Sequence, residues 1–246
     1  MADHTHSMPV MESAFLEYIE RQSLICNYLA NTPFKEYDIS KAIPFFPLAT
    51  YVNKLSNEIR FFDISLLDNL HVILCIGVGK RKLIGLGTSF NLKEAINKSL
   101  TEALQYHAYI RLDNISDQKI EYTSKENQDY YHLSFEAISN KEFVTLYSYL
   151  LKNKDKISIN QMEQNSNKEK KLLNLIKDCK EKLQMNPSIS VFKPKHSIPN
   201  LKVVKIFDDN WFPNINPSTY ANKNYDFVEE IIQKKFDRTI SYIPFP

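Results

Sequence analysis

The sequence predicts an α/β protein, a sheet with helices packed against it, and three observations carry that prediction. Apolar residues recur at helical spacing in "MPVMESAFLEYIERQSLICNYLAN" and again in "NLKEAINKSLTEALQ". Between these segments, "EIRFFDISL", "LHVILCIGVGK" and "KLIGLG" are short runs rich in β-branched and aromatic residues. All four glycines of the chain fall in "GVGKRKLIGLG", where the second run passes into the third.

Taken in order, the first helix begins close to the N-terminus and spaces Met11, Ala14, Phe15, Tyr18, Ile19, Ile25, Cys26 and Leu29 by helical intervals. A short second helix is expected within "PFFPLATYVNKL", followed by the three strands. In "TSFNLKEAINKSLTEALQYHAYIR", Asn91 is placed to cap a helix whose third residue is Glu94. Its apolar stripe is Leu92, Ala95, Ile96, Leu100, Ala103 and Leu104. Residues 113–168 are polar, with a helical island at "NKEFVTLYSYLLKN", and are expected to form an insertion-like region within a single domain spanning 1–246. "KEKKLLNLIKDCKEKL" is an amphipathic helix whose basic residues form a solvated face. "SISVFKP" and "LKVVKIFD" are two further strands on either side of the turn segment "KHSIPN". A Pro- and Asn-rich stretch, "WFPNINPSTYANKN", leads towards the end "SYIPFP".

Composition narrows the function classes. The chain has 246 residues, 43% hydrophobic, enough to bury a core. Lys and Arg total 31 against 29 Asp and Glu, so a net charge of +2 gives no general attraction to nucleic acid or to an anionic membrane, and neither is expected as a partner. Cys26, Cys75 and Cys179 are far apart, odd in number and without metal-type spacing, which argues for core packing in a reducing compartment. No apolar run approaches the ~20 residues of a membrane span, and "MADHTHSMPV" lacks the regions of a signal peptide. A cytoplasmic location is expected.

The glycine stretch fails both phosphate-loop tests. A Walker-type loop needs Lys followed by Ser or Thr, but Arg81 follows Lys80, and Leu74 stands where the first glycine belongs. A dinucleotide fingerprint needs a third glycine where Lys82 stands, with a helix after it. "GVGKRK" is therefore a strand end and a turn, its glycines supplying positive φ and its basic residues exposed, while "GLGTSFNLKEA" leads into the next helix and aims it. His4 and His6 sit at a terminus expected to be mobile and make a poor metal cage, and His71, His132 and His196 lack partners at metal spacing. Trp211 and Phe212 are expected in core or turn packing.

The remaining candidates are acidic. Glu17 and Glu20 lie three apart with Arg21 beside them, and Glu102 and Gln105 repeat the offset on the other strong helix, so each pair shares a helical face. Carboxylates sharing a site repel unless a cation lies between them, and hard oxygen ligands suit magnesium, which is commonly bound together with phosphate. On spacing alone, two amphipathic helices with solvent-facing acids explain the same residues.

A resemblance adds to that reading. "MESAFLEYIERQSL", then "GLGTSFNLKEAINKSLTEALQ", with the chain ending "IPFP", resembles the C-terminal part of the YcaO family, most closely the cyclodehydratase subunit of microcin-type azole synthetases. The motif-bearing part is residues 10–107 and the last three. The resemblance implies a YcaO-like mixed sheet with packed helices, incomplete because the N-terminal half of the family fold, with its Gly-rich Ser/Lys motif and another Glu-x-x-Glu-Arg helix, is missing. It implies ATP and magnesium as cofactors, with Glu17, Glu20, Arg21, Glu102 and Gln105 binding ATP and Glu17, Glu20 and Glu102 holding the metal. The C-terminal carboxylate of Pro246 is implied as a proton acceptor. The implied activity is activation of backbone amides in a ribosomally made precursor peptide to form azolines, with a leader-peptide-binding companion protein and a flavin-dependent dehydrogenase as partners. The alternative is a truncated, non-catalytic module that binds the peptide or a companion subunit. Three positions depart from the family pattern: Pro9 stands where an acid is usual, His107 where an Arg is frequent, and Tyr242 where a proline is expected.

Overall fold

The computed structural model describes residues 2–4, 7–32, 35–113, 135, 137–152, 156–159, 168–192 and 202–245. The elements in chain order are β1 (Ala2–His4), α1 (Ser7–Ala30), β2 (Lys35–Asp38), a 3-10 turn (Ser40–Phe45), α2 (Pro47–Ser56), β3 (Asn57–Asp63), β4 (His71–Gly79), β5 (Leu83–Ser89) and α3 (Leu92–Asp113). They continue with α4 (Asn140–Leu146), α5 (Ser148–Leu151), β6 (Lys156–Ser158), α6 (Lys168–Lys182), β7 (Ser188–Phe192), β8 (Lys202–Phe207) and, after a second 3-10 turn, α7 (Asn222–Ile232).

Five strands form one sheet in the order β5-β4-β3-β2-β6, antiparallel except for the β2–β6 pair. Its centre is buried on both faces, so the strand sequence is apolar at consecutive positions. Along β4, Val72, Leu74 and Ile76 face the layer that contains α1, while Ile73 and Cys75 face the layer built from α2 and α3. α1 and α3 thus lie on opposite faces of the sheet, both against β5, which is an edge strand. A second, three-stranded sheet in the order β1-β8-β7 covers the other side of α1. Enclosed between two sheets, α1 buries residues nearly all round its axis, from Phe15 and Ile19 to Ile25 and Leu29.

Two glycines set the approach of α3. A Cβ on Gly85 would stand 2.2 Å from the Ser99 carbonyl oxygen, and one on Gly87 2.1 Å from that of Ala95. Both obstacles are helix backbone, so these positions admit only glycine at this spacing. Gly79 serves a turn instead. Its φ of +116° ends β4, and the following Lys80 amide donates to the Ser56 carbonyl at 2.6 Å. Lys80 and Arg81 in that turn are exposed as expected, but Lys82 is half-buried and its ammonium donates to the carbonyls of Phe135 and Ile138.

The structure departs from the sequence expectations at three other places. The N-terminus, expected to be mobile, contributes β1, which pairs antiparallel with β8 from Ala2↔Val204 to His4↔Lys202. Within 113–168, Phe135, Phe143, Tyr147 and Leu150 are fully buried, and β6 extends the main sheet. β2 and α7 have no counterpart in the reading of the sequence. α7 carries its apolar Tyr225 and Val228 inward, and its Asn224 side chain donates to the Trp211 carbonyl at 2.9 Å. Trp211 and Phe212 are core residues and all three cysteines are buried, as expected. No described helix is long and apolar enough to cross a membrane.

Candidate functional site

The Glu17–Glu20 and Glu102–Gln105 pairs meet along the outer edge of β5. Because α1 and α3 flank that strand from opposite faces, the side chains that overhang its edge converge in one open cleft of about 530 Å³. Glu17 and Glu20 enter it from α1, Glu102 and Gln105 from α3, with Thr88 of β5 and Lys98 of α3 beside them.

The strand anchors both helices' acids. Alternate residues of β5 do this, Leu86 through its backbone and Thr88 through its side chain. The Leu86 amide donates to Glu102 Oε2, and the Thr88 hydroxyl donates to Glu20 Oε2 at 2.6 Å. Lys98 donates to the Thr88 carbonyl at 2.9 Å and lies 3.6 Å from Glu94. Glu94 keeps its expected place at the helix start, its amide donating to Asn91 Oδ1 at 3.1 Å.

Burial and mutual repulsion strain the charge state of the acids. Burial first, then the neighbouring Glu102 and Glu17, push the Glu20 carboxyl up to about 7, against the opposing pull of Arg21 and the Thr88 hydrogen bond. Burial and Glu17 likewise raise Glu102, while Arg21 and the Leu86 amide oppose the rise. Arg21 lies 3.9 Å from Glu102 at its nearest nitrogen, a distance that moderates the repulsion without neutralising it. The arrangement is one that a bound cation would relieve.

Arg21 also receives the C-terminal tail. Its guanidinium stands 5.0 Å from the ring centroid of Phe245, which is fully buried, and Tyr147 holds the preceding residue by donating to the Pro244 carbonyl at 3.0 Å. The tail thereby reaches the helix that carries Glu17 and Glu20. Pro246 itself lies outside the described residues, as do His6, His132 and His196. Glu17 and Arg21 also line a second, smaller cleft of about 230 Å³, together with Lys205, Phe212 and Ile215.

The sequence-derived candidates Glu17, Glu20, Glu102 and Gln105 are therefore gathered in one place, with Arg21 at its margin. Thr88, Lys98 and the Leu86 amide escaped the sequence reading. Lys98 sits one turn before Glu102 and was findable from that spacing; Thr88 and Leu86 carry no such signal, because their role comes from lying at a sheet edge. Among the described residues, no group of three His, Cys, Asp or Glu side chains forms a metal cage. An all-oxygen donor set without a closed cage suits magnesium that takes part of its coordination from phosphate, since that ion is usually held by one or two carboxylates.

A family model described as YcaO cyclodehydratase, ATP- and Mg2+-binding, matches residues 11–206, which include all five of these side chains. The chain belongs to the YcaO family. Solved structures agree with the YcaO fold. The E. coli microcin synthetase McbBCD complex superposes with a TM-score of 0.67 at 22% identity, over 99% of this chain and 62% of that one. The same complex with pro-MccB17 bound gives 0.69 at 22% identity, with the same coverage. YcaO from Methanopyrus kandleri, bound with AMPPCP and Mg2+, gives 0.61 at 13% identity, over 81% of this chain and 50% of that one. At these identities the shared property is the fold. The chain spans 62% of the length of the synthetase chains it matches. No relative was found among curated proteins.

Proposed function

We propose that this chain is the ATP- and magnesium-binding part of a YcaO-type cyclodehydratase, acting on backbone amides of a ribosomally made precursor peptide to form azolines. The observation that carries this reading is the meeting of Glu17, Glu20, Glu102 and Gln105 in one cleft, with two of the acids held by β5 and pushed towards the neutral form by burial. Such a cleft is short of positive charge. When bound, ATP with magnesium would supply the missing cation and a phosphoryl group: after a Cys, Ser or Thr side chain attacks the carbonyl carbon, the oxyanion so formed would take the γ-phosphoryl with release of ADP, and phosphate would leave as the ring's double bond forms.

The chain's own residues position and neutralise. Glu17, Glu20 and Glu102 are the proposed carboxylates for magnesium, one or two of them to an ion whose remaining coordination comes from phosphate and water, Gln105 offers an amide to the nucleotide, and Arg21 offsets phosphate charge. The tail is held by Tyr147 at Pro244 and against Arg21 at Phe245, and the carboxylate of Pro246 is the proposed proton acceptor. A precursor peptide is the proposed substrate, a leader-peptide-binding protein the proposed companion and, where azoles are the product, a flavin-dependent dehydrogenase a further partner. The relative solved with pro-MccB17 bound supports a peptide as the substrate class. The proposed place of work is the cytoplasm.

The relative solved as the McbBCD complex supports one second reading, a non-catalytic YcaO module that binds the peptide or a companion subunit. One assay separates the two. The chain with its companions and peptide is followed for ATP consumption and for loss of one water's mass per ring, alongside Glu17→Ala and Glu102→Ala. The enzyme reading requires both signals in the wild type and their loss in the variants; peptide binding without either signal assigns the chain to the second reading.

A further inference from the structure

We infer that Thr88 is a positioning residue of this cleft: its hydroxyl holds the Glu20 carboxylate where a magnesium–nucleotide complex can use it. The inference rests on the nucleotide reading proposed above and adds to it a residue outside the helical motifs.

Four observations carry it. Thr88 is only 3% exposed, so its hydroxyl has a restricted choice of partners, and the one it takes is Glu20 Oε2 at 2.6 Å, the short distance of a charge-assisted bond. Being β-branched within a strand, Thr88 is stiff about χ1 and aims that hydroxyl with little freedom. The same residue's carbonyl accepts from Lys98, so the strand position that orients an acid of α1 also fixes a cation of α3. Finally, Glu20 is repelled by Glu102 and Glu17, so without a tether its carboxylate is driven away from the place where the acids meet. Glu102 has its equivalent tether in a backbone amide, which leaves Thr88 as the side-chain anchor open to substitution.

The test is calorimetric binding of AMPPCP to the full chain, with and without magnesium, for wild type, Thr88→Val, Thr88→Ser and Glu20→Gln. Valine keeps the shape and removes the donor; serine restores it. The expected result is that magnesium strengthens AMPPCP binding in the wild type and that Thr88→Val loses about tenfold or more of that magnesium-supported affinity, as expected for a hydrogen bond to a charged group. Its magnesium-free affinity falls by much less, and Thr88→Ser returns to the wild-type pattern. Thr88→Val keeping the full magnesium effect while Glu20→Gln loses it overturns the inference, as does an equal loss with and without magnesium or a failure of serine to restore binding, since those mark a structural role. A folded wild type whose AMPPCP binding does not respond to magnesium overturns the nucleotide reading itself, a different failure from the others.

Discussion

Replacing Glu20 by glutamine removes a charge while keeping an oxygen that accepts from Thr88, and the structure sets the size of the effect. In the folded chain burial and the neighbouring Glu102 move this carboxyl from an ordinary 4.5 to about 7. In the unfolded chain it ionises near its ordinary value. Between those two pH values the folded state therefore holds a proton that the unfolded state has released, and stability falls as pH rises. Below the lower value the protonated group costs nothing extra; above the upper one the full penalty applies, about 3 kcal/mol at 1.36 kcal/mol per pKa unit. That is a large fraction of the 5–15 kcal/mol typical of a domain. Urea denaturation of wild type and Glu20→Gln in metal-free buffer, at pH 4 and pH 8, tests this. The two proteins are expected to match at low pH, and the variant to be the more stable at pH 8 by about 3 kcal/mol. A gap that does not grow with pH, or a variant less stable at pH 8, would refute the reasoning that burial and crowding define this site.

Gly87→Ala sets a Cβ 2.1 Å from the Ala95 oxygen and 2.4 Å from the Ser99 nitrogen, both helix backbone. α3 must retreat, at a cost of about 1–3 kcal/mol, and because Glu102 travels with the helix, magnesium-dependent AMPPCP binding should weaken as well; thermal denaturation and calorimetry read the two effects. Arg60→Met strands the buried Glu36, which Arg60 now grips at 2.8 and 2.5 Å, leaving Lys156 at 3.0 Å as its partner among the described residues. A loss of about 3 kcal/mol in urea denaturation is expected. Tyr147→Phe removes the bond to the Pro244 carbonyl, with a loss of about 1 kcal/mol and faster trimming of the tail by carboxypeptidase as the observable.

Much of the main sheet was legible. Helices α1 and α3, strands β3 to β5 and the capping role of Asn91 announce themselves through periodicity and short-range chemistry, and all are found where the residues place them. The elements that went unread are those stabilised from a distance. β1, β2 and β6 are three or four residues long and exist because a neighbouring strand supplies their hydrogen bonds. The polar composition of 113–168 hid Phe135, Phe143, Tyr147 and Leu150, four residues whose burial depends on partners elsewhere in the chain. α7 follows a Pro- and Asn-rich stretch that masks its apolar Tyr225 and Val228.

By itself the sequence determined which polar side chains could act as pairs, since a three-residue offset on a helix is local geometry that needs no tertiary contact. It also excluded a phosphate loop at the glycines by spacing alone. Only the tertiary structure decided that the two pairs share a site. That depends on α1 and α3 lying on opposite faces of an edge strand, on Gly85 and Gly87 letting α3 come close, and on Leu86 and Thr88 presenting donors where the acids meet. The charge state of Glu20 was beyond sequence for the same reason: burial and the approach of Glu102 set it, and both come from residues far apart along the chain.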